Sequence, residues 1–556
     1  MTARVLIIGL DGLEPSLVRR WVASGDLPTL GKLRAQGRWG KLRSTLPYAT
    51  FPAWTSFMTG VNPGQHGVLD FARLIRGTYD VSFDGAAIRK RPTVQRLASD
   101  AGLRVASVGF PATYPPEPIN GLVIGGFDSP VAVGIDDSFV HPPQLAAELK
   151  ERFGRYVFAD FAETHTWIPG WHRRAARKLM AGLARRQAIA GHLLGREPWD
   201  LFMVHFGESD TAAHHFWAFH DKHSPRRPSG EVEPGLEDVL RQVYAALDQA
   251  VASLLAQAGP ETTVLIASDH GFGGSSDKVF HINRWLAKQG WLGFEPKPGL
   301  RQRAVGLGVR AAVGLVPGRA QEKLWRLAPS MAGRAEAQRR FANVDWSQTV
   351  AYSEELAYHP SVRLNVQGRE PHGQLAPERR EALVDEIIAG LEALEDPWDG
   401  RKLVRKAWRR EALYSGPATQ EAPEIILELA FDGDYSFNCL PSPGDGPIWR
   451  RLTAQERLGA KGAGMNGTHR HDGFWLMDGP KVTPRRKKAK MVDMAPTILS
   501  ALGLEIPPWM EGKPHQAPDA QPKPLASAAT QDAAPLDYTP AQQAIVEARL
   551  RKLGYL

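Results

Sequence analysis

Two short polar motifs, DTAAH at 210–214 and SDHG at 268–271, hold the side chains of this chain that are best suited to chemistry. In the first motif Asp210 and His214 are four residues apart, so on a helix they share one face and can bind one metal ion. The second motif follows the apolar run 263–267, so its Asp-His pair is predicted to lie where a buried strand ends. Open α/β sheets form their ligand sites at the edge where the carboxyl ends of their parallel strands lie. Two candidate metal sites indicate two-metal chemistry on a phosphate-like group.

Three further polar residues lie where an element is predicted to begin or end. Asp11 ends the first apolar run of the chain, and His469 precedes an apolar run near its end. Thr50 comes just before a Phe-Pro pair, and a proline in the first turn is a helix-start signal. A hydroxyl there lies beside free backbone N–H groups and the positive end of the helix dipole, which suits a phosphoryl oxygen. With a metal ion lowering its pKa, this hydroxyl can act as a nucleophile.

Apolar runs alternate with amphipathic patterns along the chain. Continuous apolar runs typical of buried parallel strands occur at 4–10, 105–110, 122–127, 201–206 and 263–267. Helical patterns occur between them at 15–23, 142–153, 175–194 and 236–256. Later strand-like runs lie at 350–352, 361–366, 424–429 and 473–477, with helices predicted at 377–394 and 495–502. This alternation predicts an α/β fold, a three-layer α/β/α sandwich around a mainly parallel sheet.

The length of 556 residues fits a large α/β domain with an inserted region and not one ordinary core. We predict a catalytic core formed by residues 1–290 and 461–513. The region 291–460, where the alternation breaks, is predicted as a partly helical, basic cap that sets substrate choice. Residues 514–556 are predicted as a linker rich in proline and alanine, followed by a helix at 540–553.

The composition is that of a soluble globular protein, with 43% hydrophobic and 23% charged residues. The one cysteine, Cys439, excludes an internal disulfide and favours a reducing compartment. The first residues do not form the apolar segment and cleavage site of a signal peptide. No window reaches the roughly 18 to 20 apolar residues of a membrane span. We therefore expect a cytoplasmic protein.

The net charge of +8 is concentrated in two segments. Residues 301–341 carry nine Lys/Arg against two Glu, and residues 485–490 read RRKKAK. The first segment could make weak contact with anionic lipid or help to hold an anionic substrate. The alternative is a solvated helical insertion whose charges serve solubility. Nucleic-acid binding has no motif behind it beyond charge, so we expect no nucleic-acid partner. The oligomeric state cannot be read from the sequence.

The polar motifs follow one another in a definite order. They are LIIGLDG at 6–12, STLPYATFPAWTSFMTGVNPGQHG at 44–67, GESDTAAHHFWAFHDKHSP at 207–225, SDHGFGG at 268–274, NGTHRHDG at 466–473 and VDMAPTILSALGL at 492–504. In these motifs the chain resembles the alkaline phosphatase superfamily, in particular its type I phosphodiesterase/nucleotide pyrophosphatase branch. The resemblance covers residues 3–280 and 460–513. Two of the strings are most similar to prokaryotic members described as predicted phosphohydrolases or phosphomutases.

The resemblance implies two divalent metal ions, usually zinc and in some members manganese. It implies one ion held by Asp210, His214 and His469, and a second held by Asp11, Asp269 and His270. Thr50 would bridge or face both ions as the seventh metal-site residue, act as the attacking residue and become a phospho-threonine that water then hydrolyses. The implied activity is hydrolysis of small phosphomonoesters or phosphodiesters.

The chain departs from the family pattern at one position, and a second position has a competitor. Nucleotide pyrophosphatases have an asparagine that holds a phosphoryl oxygen 21 residues after the nucleophile, and here that position is Phe71. Nucleotide diesterase activity is therefore open to question. His471 lies two residues from His469 and could share its face, and we favour His469 as the ligand. His66, His220, Asp221 and His223 are interpreted as structural loop residues or rim residues of the site, and His215 lies beside His214.

Three alternatives to phosphate-ester hydrolysis remain. A phosphomutase would use the same phospho-threonine and return the phosphoryl group to another hydroxyl. A sulfatase would need a modified Cys or Ser where this chain has Thr50. A non-catalytic membrane-surface or scaffold protein would rest on the basic insertion alone, and it does not explain why all seven metal-site positions carry suitable side chains.

Overall fold

The computed structural model describes eleven stretches of the chain: residues 3–83, 85–126, 138–154, 166, 168–295, 340–341, 343–355, 360–442, 444–459, 464–516 and 521–525. The basic segment 301–341 lies outside these residues except for its last two positions, and so does the predicted helix at 540–553. Among the helices in these stretches, none combines the length and the hydropathy that crossing a bilayer requires.

The strands of the described residues are numbered here in chain order. They are β1 Ala3–Leu10, β2 Arg38–Arg43, β3 Ala72–Leu74, β4 Val81–Phe83, β5 Val105–Val108, β6 Gly121–Ile124, β7 Val140–His141, β8 Trp199–Phe206, β9 Thr263–Ala267, β10 Gly271–Phe280, β11 Gly293–Phe294, β12 Val344–Asp345, β13 Ala351–Tyr352, β14 Ser361–Leu364, β15 Val404–Arg409, β16 Ile425–Leu429, β17 Phe431–Asp432, β18 Tyr435–Cys439, β19 Trp449–Arg451, β20 Gly467–Arg470, β21 Asp472–Asp478, β22 Arg485–Arg486 and β23 Ala489–Lys490.

The α-helices are numbered in the same way. They are α1 Pro15–Ala23, α2 Pro28–Gln36, α3 Thr50–Thr59, α4 Pro63–His66, α5 Val94–Asp100, α6 Leu145–Phe153, α7 Trp171–Leu194, α8 Glu208–His220, α9 Val239–Ala258, α10 Ile282–Lys288, α11 Arg380–Glu392, α12 Arg410–Leu413 and α13 Met494–Leu502. Short 3₁₀ turns lie at Ala86–Ile88, Leu236–Asp238, Trp346–Gln348, Pro377–Arg379, Thr419–Glu421 and Met491–Asp493.

The central sheet has the strand order β22-β2-β21-β9-β1-β8-β5-β6-β7, with β23 paired to β2. The five strands β9, β1, β8, β5 and β6 run parallel. β21 and β7 pair antiparallel with the two ends of this parallel block. The sheet confirms the predicted α/β class with a mainly parallel sheet.

Helices cover both faces of this sheet. Successive side chains of β1 point to opposite faces, and each face buries them against a different set of helices. Leu6, Ile8 and Leu10 pack in one core with apolar residues of α1, α2, α7 and α9. Val5 and Ile7 pack in a second core with apolar residues of α3, α5 and α13. The predicted three layers are therefore present, and the parallel strands are buried between helices as their continuous apolar runs require.

Most predicted strands and helices agree with the structure to within a few residues at each end. Several strands were not predicted, among them β2, β15, β18 and the long strand β10. Its sequence GFGGSSDKVF has neither an apolar run nor an alternating pattern, yet all ten of its residues are buried. β10 pairs with β18, β19 and β20, so main-chain pairing holds it where side chains contribute little. Glycine is required at Gly271, because a Cβ atom there would clash with the backbone carbonyl of Asp472. A strand of this kind has no local sequence signal.

A second sheet lies within the region that was predicted as the cap. Its order is β13-β14-β16-β15, all of its pairs are antiparallel, and α11 packs against it. Its core also includes Phe51 and Phe71, which belong to the first part of the chain. The domain boundaries themselves stay a prediction.

Two short pieces of the predicted linker pack on the core. His515 is buried, and the backbone at Lys523 pairs with the chain at Gly503 and Glu505. Main-chain hydrogen bonds hold Lys523, and Leu525 packs against the core that contains α3, α5 and α13. Composition carries no signal for such main-chain contacts.

The ammonium group of Lys278 in β10 links the second sheet to the central part of the fold. Its Nζ atom lies 2.9 Å from Asp396 Oδ2, 3.1 Å from Asp399 Oδ2 and 3.0 Å from Asp432 Oδ1. These three carboxylates are close enough together to hold a metal ion. The buried ammonium already supplies the positive charge there, so we interpret the cluster as structural.

Replacing Lys278 with methionine should lower the free energy of unfolding by about 3–5 kcal/mol, the usual cost of removing one partner of a buried ion pair. Methionine fills a similar volume but leaves the carboxylates uncompensated, and urea unfolding measures the loss. The control is Lys41→Met, since Lys41 pairs with Asp472 at 2.9 Å on the surface. That change should cost less than about 1 kcal/mol. Equal losses in the two variants would contradict the structural role of Lys278.

Candidate active site

Three adjacent strands of the central sheet place three carboxylates at one edge. β9, β1 and β8 are neighbours and run parallel, so their carboxyl ends meet. Asp11 directly follows β1, and one residue separates Asp269 from the end of β9. Asp210 lies in the first turn of α8, just after β8. All three are at least 95% buried. The edge predicted from the sequence is therefore where these carboxylates meet.

The first predicted ligand group is assembled from α8 and β20. His214 lies one turn after Asp210, and its Nε2 is 3.3 Å from Asp210 Oδ1. His469 is opposite Phe272 in the antiparallel pair of β10 and β20. Its Nε2 is 3.2 Å from the same Asp210 oxygen. Ligand atoms of these three residues all lie within 4.8 Å of one another.

The second predicted group adjoins the first. His270 Nε2 lies 3.2 Å from Asp269 Oδ2 and 3.6 Å from Asp11 Oδ1, and the ligand atoms of this group also lie within 4.8 Å of one another. The rings of His270 and His469 stack with their centroids 3.7 Å apart. The structure thus brings all six proposed ligand side chains into one buried cluster.

The hydrogen bonds of the three histidines define which ring nitrogen faces the cluster. Nδ1 of His214 donates to the carbonyl of Gly467 at 2.9 Å, and Nδ1 of His469 donates to the carbonyl of Tyr48 at 3.0 Å. Nδ1 of His270 donates to its neighbour's carbonyl at 3.1 Å. In the neutral rings, each Nε2 atom therefore carries a lone pair that points into the cluster, the usual arrangement of metal-binding histidines.

These donors fit divalent metal ions. The Nε2 atoms of His214 and His469 are only 3.0 Å apart, and two lone pairs at this distance repel unless a cation lies near them. Within the described part of the chain, four atoms of the cluster are buried without a hydrogen-bond partner: Asp11 Oδ1, Asp210 Oδ1, Asp269 Oδ2 and His270 Nε2. Carboxylate oxygens and imidazole nitrogens are ligands that both zinc and manganese accept.

The pKa values of the cluster also indicate missing positive charge. Burial and the negative charge of Asp11 raise the pKa of Asp269 well above its usual value. Burial lowers the pKa of His270 to about 4, so its ring is neutral near pH 7. Crowded carboxylates beside neutral imidazoles are typical of a site that binds cations.

Thr50, the proposed nucleophile, is the first residue of α3 and is 1% exposed. Its Oγ1 atom makes no hydrogen bond to any described residue. Its neighbours tie the start of α3 to both ligand groups. The carbonyl of Tyr48 accepts from His469, and Trp54 Nε1 donates to Asp11 Oδ2 at 3.1 Å. The hydroxyl therefore lies on a helix start that is anchored to each group.

Two residues that support the site were not predicted. His205 Nε2 donates to Asp11 Oδ2 at 3.0 Å, and Trp54 Nε1 donates to the same oxygen. These two bonds hold one oxygen of Asp11 and leave Oδ1 facing the cluster. The signal for His205 was a single polar side chain in the apolar run of β8. That pattern alone does not distinguish a supporting residue from an ordinary core histidine.

The remaining singled-out residues lie outside both ligand groups. His471 contacts the carbonyl of Ser44 and the ring of Tyr48, so the preference for His469 agrees with the geometry. Phe71 packs on Phe51 with ring centroids 4.5 Å apart. Asp221 accepts from Tyr435, His220 packs on Trp21, His215 packs on Trp171 and His223 is exposed.

His66 is buried beneath α3 and has a structural role. Its Nδ1 accepts from the backbone N–H of Val68 at 3.1 Å, so its Nε2 carries the proton. Nε2 lies 2.9 Å from the hydroxyl of Ser56 and donates to it. A histidine in this tautomer cannot take a proton from the serine, so the pair is not a nucleophile with its base.

An α/β sandwich with two buried Asp/His groups at the carboxyl edge of its parallel strands is the architecture of the alkaline phosphatase superfamily. Residues 5–439 match the type I phosphodiesterase / nucleotide pyrophosphatase family, and the chain belongs to that family. A segment of 70 residues is 36% identical to human ectonucleotide pyrophosphatase/phosphodiesterase family member 1. This segment is 12% of the chain and 7% of that relative. His469 lies beyond the family match, and only the fold connects it with the matched residues.

The buried His66 predicts a pH dependence of stability. Burial lowers its pKa to about 3, so below pH 6.5 the unfolded chain binds a proton there that the native protein does not. Stability is therefore lost as the pH falls. Between pH 7 and pH 5 this residue should account for about 2 kcal/mol of the loss, and His66→Gln should remove that share. Urea unfolding at the two pH values measures it. An exposed control, His223→Gln, should leave the pH dependence unchanged, and equal effects of the two variants would contradict the assignment.

Proposed function

We propose that this protein is a hydrolase of phosphate esters that uses Thr50 as its nucleophile and two divalent metal ions. The observation that carries the proposal is the Thr50 hydroxyl, which is buried, makes no hydrogen bond to a described residue and lies on a helix start tied to both ligand groups. Threonine is a poor nucleophile unless its proton is withdrawn, and its place on a helix start tied to both ligand groups supplies a reason for this residue. Membership of the family supports the same reaction class.

The proposed ligands form two sets. Asp210, His214 and His469 would hold one ion, and Asp11, Asp269 and His270 the other. When bound, two such ions supply Lewis-acid stabilisation of the attacking and leaving oxygens of an in-line displacement. Zinc is the first choice because three carboxylates and three imidazoles suit it, and manganese is the alternative.

The protein's own groups would act in two displacements. In the first, Thr50 Oγ1 loses its proton to solvent and forms a bond to phosphorus while the ester P–O bond breaks. The leaving oxygen takes a proton from solvent and departs as the alcohol. In the second, water attacks the phospho-threonine, and the Thr50 oxygen leaves as phosphate is released. The N-terminal end of α3 favours the negative charge that gathers on the phosphoryl oxygens. His205 and Trp54 keep Asp11 oriented throughout.

The residue at position 71 bears on the substrate class. Phe71 is buried against Phe51 and offers no amide to a phosphoryl oxygen. We therefore propose simple phosphomonoesters or phosphodiesters as substrates in preference to nucleotide diesters. A phosphomutase is the second candidate, because the site residues are almost fully buried and a site closed to water favours return of the phosphoryl group to an alcohol. Release of inorganic phosphate from an aryl phosphate, compared with transfer to added alcohols, distinguishes the two.

Thr50→Ala should reduce turnover of an aryl phosphate by about a thousandfold or more, because the attacking oxygen is lost. Thr50→Ser should keep measurable activity, and acid quenching of the wild type should leave phosphate on Thr50. The control is Thr55→Ala, which removes the same atoms from a buried position on the same helix. Near-normal turnover in Thr50→Ala would mean that water attacks phosphorus directly.

The ligand assignment predicts metal content. The purified protein should contain about two transition-metal ions per chain, in line with two separate three-residue groups. Asp210→Ala and His469→Ala should each remove about one ion and leave the other, and exhaustive chelation should abolish turnover. Elemental analysis measures the content. His471→Ala is the matched control, since this histidine is two positions from His469 and outside both groups. Loss of metal in His471→Ala with retention in His469→Ala would reverse the assignment.

A further inference from the structure

A large open cleft lies between the edge of the central sheet and the second sheet. Its volume is about 1140 Å³. One side is formed by β2, by residues 487–490 and by Lys513, and the other side by β15, the end of β16 and β17. We name it the basic cleft. Part of the RRKKAK segment, residues 487–490, lines the basic cleft. The proposed reaction uses none of the residues of the cleft.

The basic cleft has an excess of positive charge. Nine cationic side chains line it, against five carboxylates. The carboxylates are already satisfied within the protein. Glu428 pairs with Arg405, Asp472 with Lys41 and Asp493 with His515, while Glu14 and Glu511 accept hydrogen bonds from backbone N–H groups.

The cations are not satisfied in the same way. In the described part of the chain, six cations of the cleft make no ion pair with a carboxylate. One of them, Arg470, is half-buried and donates to the carbonyl of Asp434. The other five are exposed: Arg43, Lys487, Lys488, Lys490 and Lys513. They lie on the side formed by the central sheet, so this side presents uncompensated positive charge to solvent.

The opposite side of the basic cleft presents aromatic surface. Trp408 and Phe431 lie there, and Arg405 on that side is already paired with Glu428. Phe431 is 44% exposed, and the guanidinium group of Arg470 covers its ring at 4.8 Å. A large exposed ring beside a cleft is a surface on which a flat ligand group can stack.

The basic cleft is separate from the candidate active site. None of the six proposed ligands lines it, and neither does Thr50. Arg470 does line it and follows His469 directly in β20. Because successive side chains of a strand point to opposite faces, His469 faces the ligand cluster while Arg470 faces the cleft.

The sequence motifs led us to expect no nucleic-acid partner, but the lining of the basic cleft points to one. We propose that the basic cleft binds single-stranded nucleic acid, with phosphates along the lysine side and bases against Trp408 and Phe431. A groove with cations on one side and aromatic rings on the other is the arrangement that holds single strands without sequence preference. The concave shape excludes a flat bilayer, and the volume exceeds that of an ordinary small-molecule pocket. Inorganic polyphosphate would use the lysine side but has no bases for the rings.

The first test measures the charge contribution. A fluorescent 12-nucleotide single strand is titrated with full-length Thr50→Ala protein, which prevents turnover, and anisotropy gives the affinity at several salt concentrations. Adding Lys487→Ala, Lys488→Ala and Lys490→Ala should weaken binding at least tenfold and reduce the salt slope by about 2, since each lost phosphate contact removes about 0.7.

The matched control removes three exposed cations from elsewhere on the surface, by Arg19→Ala, Lys32→Ala and Lys222→Ala. It should leave affinity and slope within twofold of the parent protein. Equal losses in the two triple variants would overturn the proposal, because binding would then follow net charge and not the cleft. Absence of binding to the single strand at low salt would overturn it as well.

The second test measures the aromatic contribution. Phe431→Ala should weaken binding about fivefold or more, since stacking of one base is worth about 1–3 kcal/mol. Trp398→Ala is the control, because Trp398 is 43% exposed and lies outside the cleft. Polyphosphate of equal charge should compete less well than the unlabelled strand, and anionic vesicles should not compete. No loss in Phe431→Ala together with equal competition by polyphosphate would overturn the proposal in favour of a simple phosphate-chain site.

Discussion

The structure depends most on the repulsion among three buried carboxylates. Asp11, Asp210 and Asp269 lie together at the edge of the sheet, out of contact with water, where like charges interact strongly. Neutral histidines present lone pairs to the same space and do not supply the missing positive charge. The fold must therefore hold these groups rigidly while leaving room for cations. Its strand order, its buried hydrogen bonds and the helix start at Thr50 can all be understood from this requirement.

Rigidity comes from contacts made by the backbone and by buried side chains outside the ligand groups. Each proposed histidine ligand donates its Nδ1 proton to a carbonyl oxygen, so the ring cannot rotate without losing a hydrogen bond. Asp11 is held by His205 and Trp54. The long strand β10 connects the ligand cluster with the second sheet. At one end it pairs with β20, and further along Lys278 pairs with Asp396 in the loop that leads into β15. The cluster and the second sheet thus share one structural element.

Strand β20 separates two regions of opposite character. His469 faces a cluster that lacks positive charge, and its neighbour Arg470 faces a cleft that has too much of it. These two regions attract different partners, cations in the first case and polyanions in the second. The short distance along the chain between the two residues explains why one motif, NGTHRHDG, carries both features. The chemistry of the cluster and ligand binding in the basic cleft can therefore be altered separately by substitution.

The sequence by itself determined the parallel strands of the central sheet and the site residues that lie at the ends of these strands. Apolar runs mark buried strands, the residues at their ends must share one edge, and helical spacing brings His214 to Asp210; these are local properties. Only the tertiary structure decided the rest. His469 and His214 are 255 residues apart in the sequence, and the pairing of β10 with β20 brings them together. No sequence pattern predicts β10. Distant segments are likewise joined in the hydrogen bond of His205 to Asp11, in the ion pairs of Lys278 and in the lining of the basic cleft. Their partners are chosen by sheet pairing and packing, which no local pattern of residues encodes.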